Sequence, residues 1–343
     1  MPRLKSTPED FLVEELPLYT PSGSGEHTWV EVEKRLRTTE EVAGALAAAA
    51  AVDPGRVGWA GRKDREAVTR QWLSVPGLPP ARAATLAGDG WHVLRAVAHG
   101  ERLRLGELIG NHFRLVVRDV AAGDAAAAAA RLADISLHGL PNRFGAQRFG
   151  DDGRNVERGA ALLRGETAPG GRRQQRLYLS ALQAAIFNEA LRRRPAPPRQ
   201  LLPGDLALVH ASGALLPVGG PTMPGNAIEQ LQSRADRFDL SPTGPLLGHK
   251  MRAPRGEPLE RERAAAASCG APWVPTLPRL RGHLLPGGRR PLRVPVTEVS
   301  HHHRRESLEL AFVLPPGSYA TVLVEELFAT DPTAAEGPQP SLP

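Results

Sequence analysis

The chain has a single cysteine, Cys269, among 343 residues. An internal disulfide is therefore impossible, and so is a zinc site built on cysteines, which fits a reducing cytosol and a cytoplasmic protein. Aromatic residues are scarce, at 5%, with only three tyrosines. No apolar run approaches the roughly 18 residues that a membrane helix needs, and the start, Met-Pro-Arg-Leu-Lys-Ser-Thr-Pro-Glu-Asp, has no apolar signal core. Secretion and membrane spanning are both disfavoured. There is no Gly-x-x-x-x-Gly-Lys-Ser/Thr phosphate loop, no Gly-x-Gly-x-x-Gly after a strand and no Gly-x-Ser-x-Gly elbow; Ser22-Gly-Ser-Gly reads as a turn.

What is present points elsewhere. Hydrophobic residues make up 41% and charged residues 23%, enough for a packed core, and the length suits two domains. Lys plus Arg number 43 against 37 for Asp plus Glu, a net charge of +6, with arginine well ahead of lysine. That balance suits a polyanionic partner, since guanidinium groups fork onto phosphate and stack on bases. A genome biased towards Arg, Ala, Gly and Pro would produce it too.

The first part of the chain reads as mixed helix and strand. Residues 28–33 alternate as a half-buried strand, Thr38-Thr-Glu-Glu opens a capped helix running to Val52, and Phe113 to Val120 alternates again. Residues 124–137 read as a helix around a run of six alanines. A second region begins near Leu140. Residues 141–150 are too rich in Gly and Arg for a regular element, Leu177 to Arg194 forms an amphipathic helix, and residues 195–288 are punctuated by Pro and Gly, with a short strand after Gly204. Alternation returns at 292–299, 308–314 and 319–327, read as strands that complete the first domain's sheet. The last residues, 331–343, read as a flexible tail.

Three segments carry candidate chemistry. Gly61-Arg-Lys-Asp-Arg-Glu-Ala-Val-Thr-Arg-Gln71 sets Asp64 between Lys63 and Arg65 just before a strand-like run, Trp72 to Val75. A carboxylate held ionised and aimed from a rigid strand suits a nucleophile or base, although charged loops are more often solvated surface. Asn142-Arg-Phe-Gly-Ala-Gln-Arg-Phe149 alternates arginine with phenylalanine, either to stack and neutralise RNA or as a glycine loop pinned by core rings. His301-His-His with Arg304 and Arg305 reads as a solvated or RNA-facing loop, because consecutive histidines cannot share one ion in a strand.

Taken in order, these segments and others resemble the TruD family of tRNA pseudouridine synthases over nearly the whole chain. The matching stations are Pro8-Glu-Asp-Phe-Leu-Val-Glu-Glu, Gly23-Ser-Gly-Glu-His, the Asp64 segment, Leu103-Arg-Leu-Gly with Gly110-Asn-His-Phe, residues 141–150, and Leu314-Pro-Pro-Gly-Ser-Tyr-Ala-Thr. The match is poorest over 195–288, and the short stretch before Lys5 lacks the longer arm of some members. The resemblance implies an α+β fold. A pseudouridine synthase catalytic domain with a mixed, mainly antiparallel sheet is formed by both chain ends (1–139 and 289–330), and an inserted α/β TRUD domain occupies 140–288.

It further implies that a uridine of tRNA, at position 13, is isomerised to pseudouridine by a monomer with tRNA as partner, without cofactor or metal. Asp64 falls on the nucleophile and Lys5 on a basic residue expected to pair with it. Phe11, Asn111, Phe113 and Tyr319 fall on nucleoside contacts, and Lys63, Arg143 and Arg148 are expected to meet RNA. Arg192 to Arg194 are expected at phosphates from their place after a helix. A tRNA-folding chaperone of the same fold, independent of catalysis, is the alternative.

Overall fold

The alternation at 28–33 becomes strand β2 (His27–Arg35), whose inward phase carries Val30, Val32 and Lys34. Helix α1 (Thr39–Ala50) follows directly. Thr38 Oγ1 accepts the Glu41 N–H at 3.2 Å, and Glu41 reaches back to the Thr38 N–H at 2.6 Å, a reciprocal cap worth about 1 kcal/mol. From α1, Val42, Ala43, Leu46 and Ala47 pack on Val30, Val32, Leu73 and Val75. Truncating one such leucine to alanine costs roughly 2–5 kcal/mol.

The structure is a computed structural model that describes residues 2–150, 152–220, 227–273 and 285–329. The tail expected at 331–343 lies outside the described residues. The chain divides into two compact units. One takes in the described residues of Met1–Ser136, Val296–Ala320 and Val324–Pro343; the other those of Leu137–Pro295 and Thr321–Leu323.

The first unit is built on a nine-stranded sheet. In chain order its strands are β1 (Phe11–Pro17), β2, β3 (Gly58–Trp59), β4 (Val68–Pro76), β5 (Ala87–Gly88), β6 (Trp91–His99) and β7 (Leu108–Arg118), then the hairpin strands Thr297–Arg304 and Ser307–Leu314. Across the sheet the hairpin comes first, its Ser307–Leu314 strand against β7, followed by β1, β4, β2, β6 and β5, with β3 on β4. Only β1 and β4 run parallel; every other pair is antiparallel. The sheet is therefore mixed and mainly antiparallel, and the two ends of the chain meet in it.

The second unit centres on the helix Arg172–Arg192, which buries Leu179, Leu182, Ile186 and Phe187. It packs against helix Asn155–Leu163, where Gly159 permits the approach: a Cβ there would lie 2.4 Å from the Tyr178 carbonyl oxygen. Helix Glu257–Ser268 adds Ala265 and Ala266 to the same core. A four-stranded antiparallel sheet holds Leu215–Pro217, Leu206–Val209, Leu240–Leu246 and Gly288–Pro291.

Two expectations are corrected here. Residues 319–327 are not a strand: Ala320–Phe328 is a helix. Val322, Val324 and their neighbours imitate a strand by composition, but Ala320, Leu323, Val324 and Leu327 are buried at helical spacing, behind the turn at Pro315 to Ser318. The three histidines are not in a loop. They lie in the strand Thr297–Arg304, so successive rings point to opposite faces, and His303 Nε2 lies 3.1 Å from the Val120 carbonyl.

Candidate active site

Asp64 sits on the loop that leads from β3 into β4, and its two flanking cations turn away from it. Lys63 Nζ pairs with Glu15 Oε2 at 2.5 Å, with side chains 5% and 0% exposed, while Arg65 Nε reaches the Leu36 carbonyl at 3.5 Å. Lys63, expected to meet RNA, is turned into this pair in the structure. Its ammonium is already committed below the loop, and Glu15 would be left as an unpaired buried charge if it moved.

The cation on Asp64 comes from the far side of the sequence. Lys5 Nζ donates to Asp64 Oδ2, and the Glu66 N–H donates to Oδ1 at 3.1 Å. Lys5 itself has a positive φ, 59°, a conformation uncommon outside glycine. Partial burial pushes the Asp64 carboxyl up, but the Lys5 hydrogen bond and charge, the Glu66 N–H and the Lys34 charge outweigh it and hold the group below the usual carboxylate range. Asp64 is an ionised carboxylate with two directed donors, and its side chain remains 41% exposed.

Aromatic rings lie beside this pair. Lys5 Nζ is 4.4 Å from the centre of the Phe11 ring, and Phe11 meets Phe113 edge-on at 6.1 Å. Phe113 stacks in turn on Phe312, at 5.4 Å and 24°. The register explains the gathering: Phe11 pairs with Leu115 in an antiparallel ladder, Val13 with Phe113, and Phe113 with Phe312. Asn111 is two residues from Phe113 on β7, opposite Glu15 on one side and Leu314 on the other. Its Oδ1 is buried without a hydrogen-bond partner among the described residues, as is Ser318 Oγ. Tyr319 precedes the helix Ala320–Phe328 as its N-cap, beyond Leu314 in the chain. The structure thus links Asp64 to Lys5, Lys5 to Phe11 and Phe11 to Phe113 in one chain of contacts, with Asn111 two residues from Phe113 on β7.

Below the loop lies a layer that the sequence reading missed. Lys34 Nζ donates to the carbonyl of Asp64 at 2.9 Å and to that of Arg37 at 2.7 Å. Thr39 Oγ1 accepts the Lys63 N–H at 3.1 Å and donates to Gln71 Oε1 at 2.9 Å. Lys34 and Glu15 occupy the inward phase of their strands, where Val30, Val32 and Val13 stand in the preceding positions. A charge on the apolar phase of a strand was the available signal.

Arg143 and Arg148 belong to the second unit. The Arg/Phe segment divides in two. Phe144 is core: its backbone is held at both N–H and carbonyl by Asn188, and its ring packs on Phe187 at 5.6 Å. Phe149 instead lines a hollow of about 700 Å³ with Arg143, Asn188, Glu189, Arg192 and Cys269. Arg148 donates to Ser180 Oγ and lies 5.7 Å from the centre of the Phe144 ring. Of the three arginines after residue 191, Arg192 is 70% exposed while pairing with Glu189, whereas Arg194 is fully inward, paired with Asp205 at 2.6 Å with both side chains 2% exposed. Arg194 therefore holds its own unit together, contrary to the phosphate contact expected for it. Among the described residues no group of three or more His, Cys, Asp or Glu gathers as metal ligands, and no helix is long and apolar enough to cross a membrane.

Comparison with known proteins defines the class. The family described as tRNA pseudouridine synthase D (TruD) matches residues 2–169 and 171–327. A tRNA pseudouridine synthase D of Anaeromyxobacter sp. (strain Fw109-5) is 41% identical over 332 residues, covering 94% of this chain and 91% of that protein. Another, of Geobacter sulfurreducens, is 35% identical over 387 residues, covering 94% and 93%. A crystal structure from Methanosarcina mazei, described as a putative tRNA pseudouridine synthase D (TruD), shares the fold with a TM-score of 0.74 at 20% identity, covering 96% of this chain and 94% of that one. The chain belongs to the TruD family of tRNA pseudouridine synthases.

Proposed function

We propose that this chain isomerises a uridine of tRNA, at position 13, to pseudouridine, with Asp64 as nucleophile and no cofactor. The observation that carries the reading is the Lys5–Asp64 pair: an ionised, part-exposed carboxylate fixed by two donors, one of them the Lys5 ammonium that lies over the Phe11 ring. A uridine extruded from folded RNA costs a few kcal/mol to unstack and needs an apolar slot to receive it. Phe11 and Phe113, only 4% and 6% exposed, would form the apolar backing of such a slot. The buried, unpartnered Asn111 Oδ1 is an acceptor that a base N–H or a ribose hydroxyl would satisfy, offsetting the roughly 1–3 kcal/mol that an orphaned group costs. Tyr319 is assigned a further contact to the nucleoside.

The bond from ribose to uracil N1 breaks, the freed uracil turns, and the ribose carbon rejoins at a ring carbon whose proton is given up. Asp64 takes part either by attacking the ribose or by helping to form a glycal. In both routes it must be ionised, which is what Lys5 secures. The unit formed by both chain ends is read as the catalytic domain and the unit around Arg172–Arg192 as the inserted domain, with Arg143 and Arg148 directed to RNA. Mass analysis of carbodiimide-derivatised tRNA from a strain lacking this gene tests the reading, because the adduct marks pseudouridine, which has the same mass as uridine: position 13 is expected to carry no adduct and to regain it when the chain is restored. Pseudouridine retained at that position in the deletion strain would refute it.

A further inference from the structure

The Asp64 loop rests on a buried cation, Lys34. Lys34 is 1% exposed, yet its stem lies on the apolar phase of β2, next to Val30 and Val32 at 0%. A strand of this kind ordinarily continues with another aliphatic residue, because an ammonium leaves water only at a cost of several kcal/mol. Among the described residues this ammonium donates to two backbone carbonyls, and one belongs to Asp64 itself. Its charge faces the Asp64 carboxylate and Lys63 from the loop, and Glu40 and Glu41 from α1. Among the groups that favour the charged form, Asp64 is the strongest.

We propose that Lys34 is a positioning residue for the isomerisation: its buried charge clamps the Asp64 backbone from below so that the carboxylate is presented at a fixed height beside Phe11. This rests on the reading of Asp64 as nucleophile. Charge-assisted hydrogen bonds are roughly twice as strong as neutral ones, so an ammonium clamps a loop that a neutral amine would hold loosely. A displacement of about 1 Å at a nucleophile costs on the order of a hundredfold in rate, so the clamp acts on catalysis even though Lys34 touches no substrate. Burial, opposed by Asp64, brings the Lys34 ammonium down to about 8, where a lysine at the surface would stay protonated well past that pH. The clamp is thus charged at neutral pH and loses its charge just above it. Lys5 faces the carboxylate from the other side, so ionisation of Asp64 itself survives that change.

The test is single-turnover formation of pseudouridine with enzyme in saturating excess over tRNA, from pH 6 to pH 9.5, for the wild-type chain and Lys34→Met, together with tRNA affinity and unfolding midpoint. The wild-type rate is expected to fall through pH about 8 while affinity stays level. Lys34→Met is expected to be at least tenfold slower at pH 7 with tRNA affinity within about twofold, and the two curves should converge by pH 9.5. A variant within twofold of wild type at pH 7, or a gap that stays constant across the range, overturns the proposal. Should Lys34→Met not fold, the wild-type profile still decides, since a rate that stays flat to pH 9.5 overturns it. Asp64→Asn in the same assay separates the two readings: if it retains activity the nucleophile assignment fails, and if it is inactive while Lys34→Met is normal only the clamp fails.

Discussion

The cations that hold Asp64 ionised, Lys5 and Lys34, are distant in the chain, and the adjacent Lys63 and Arg65 are not among its partners. Adjacent residues in a loop or strand point apart, so the cations that flank an acid in sequence are poor candidates to pair with it. Lys63 shows where such a cation goes: into a pair with Glu15 beneath the loop. Because both side chains are buried, removing one leaves the other as an uncompensated charge, at a cost of roughly 3–5 kcal/mol. Lys63→Met is accordingly expected to lower stability by about that amount in denaturant unfolding. Lys63→Met combined with Glu15→Gln should recover part of the loss, since no buried charge is then stranded. If the double variant is as unstable as the sum of the two single ones, the pair does not act as described.

At the scale of elements, legibility followed periodicity. α1 was readable because its cap residues, Thr38 and Glu41, and its apolar face are both local signals. β2 and the Ser307–Leu314 strand were readable because one face is buried and the other wet. Leu240–Leu246 was not readable: it is buried along almost its whole length yet carries two prolines and a glycine, which resemble a loop in sequence. The helix Ala320–Phe328 was misread because its first half carries three β-branched residues, Thr321, Val322 and Val324. The site was legible in its motif residues, Asp64, Lys5, Phe11 and Phe113, through a likeness spanning the chain. Its underside was not, because Lys34, Thr39 and Glu15 meet the loop only when β1, β2 and β4 lie side by side.

Across the whole molecule, an excess of arginine does not amount to an excess of free arginine. Many guanidinium groups are spent on the protein's own carboxylates: Arg118 forks onto Asp10 at 2.6 and 2.8 Å, Arg289 onto Glu262, and Arg194 onto Asp205. Arg143 and the exposed Arg192 line the hollow with Phe149 and are candidates to exchange partners for phosphate. Each phosphate neutralised steepens the fall of log affinity with log salt by roughly 0.7–0.9. Arg143→Gln and Arg192→Gln are each expected to flatten that slope for tRNA binding by about that much, with stability little changed. Arg194→Gln is expected to do the reverse, lowering stability by roughly 3 kcal/mol and leaving the salt slope of the folded protein as it was. Unchanged slopes for Arg143→Gln and Arg192→Gln would remove the hollow from the RNA-binding surface.

The central claim is that the Asp64 carboxylate does the chemistry, and replacing it without altering its shape tests that most directly. Purified Asp64→Asn should bind unmodified tRNA within about twofold of the wild-type chain and form no pseudouridine, read by carbodiimide-dependent primer extension at uridine 13. Product formed at the wild-type rate would contradict the account.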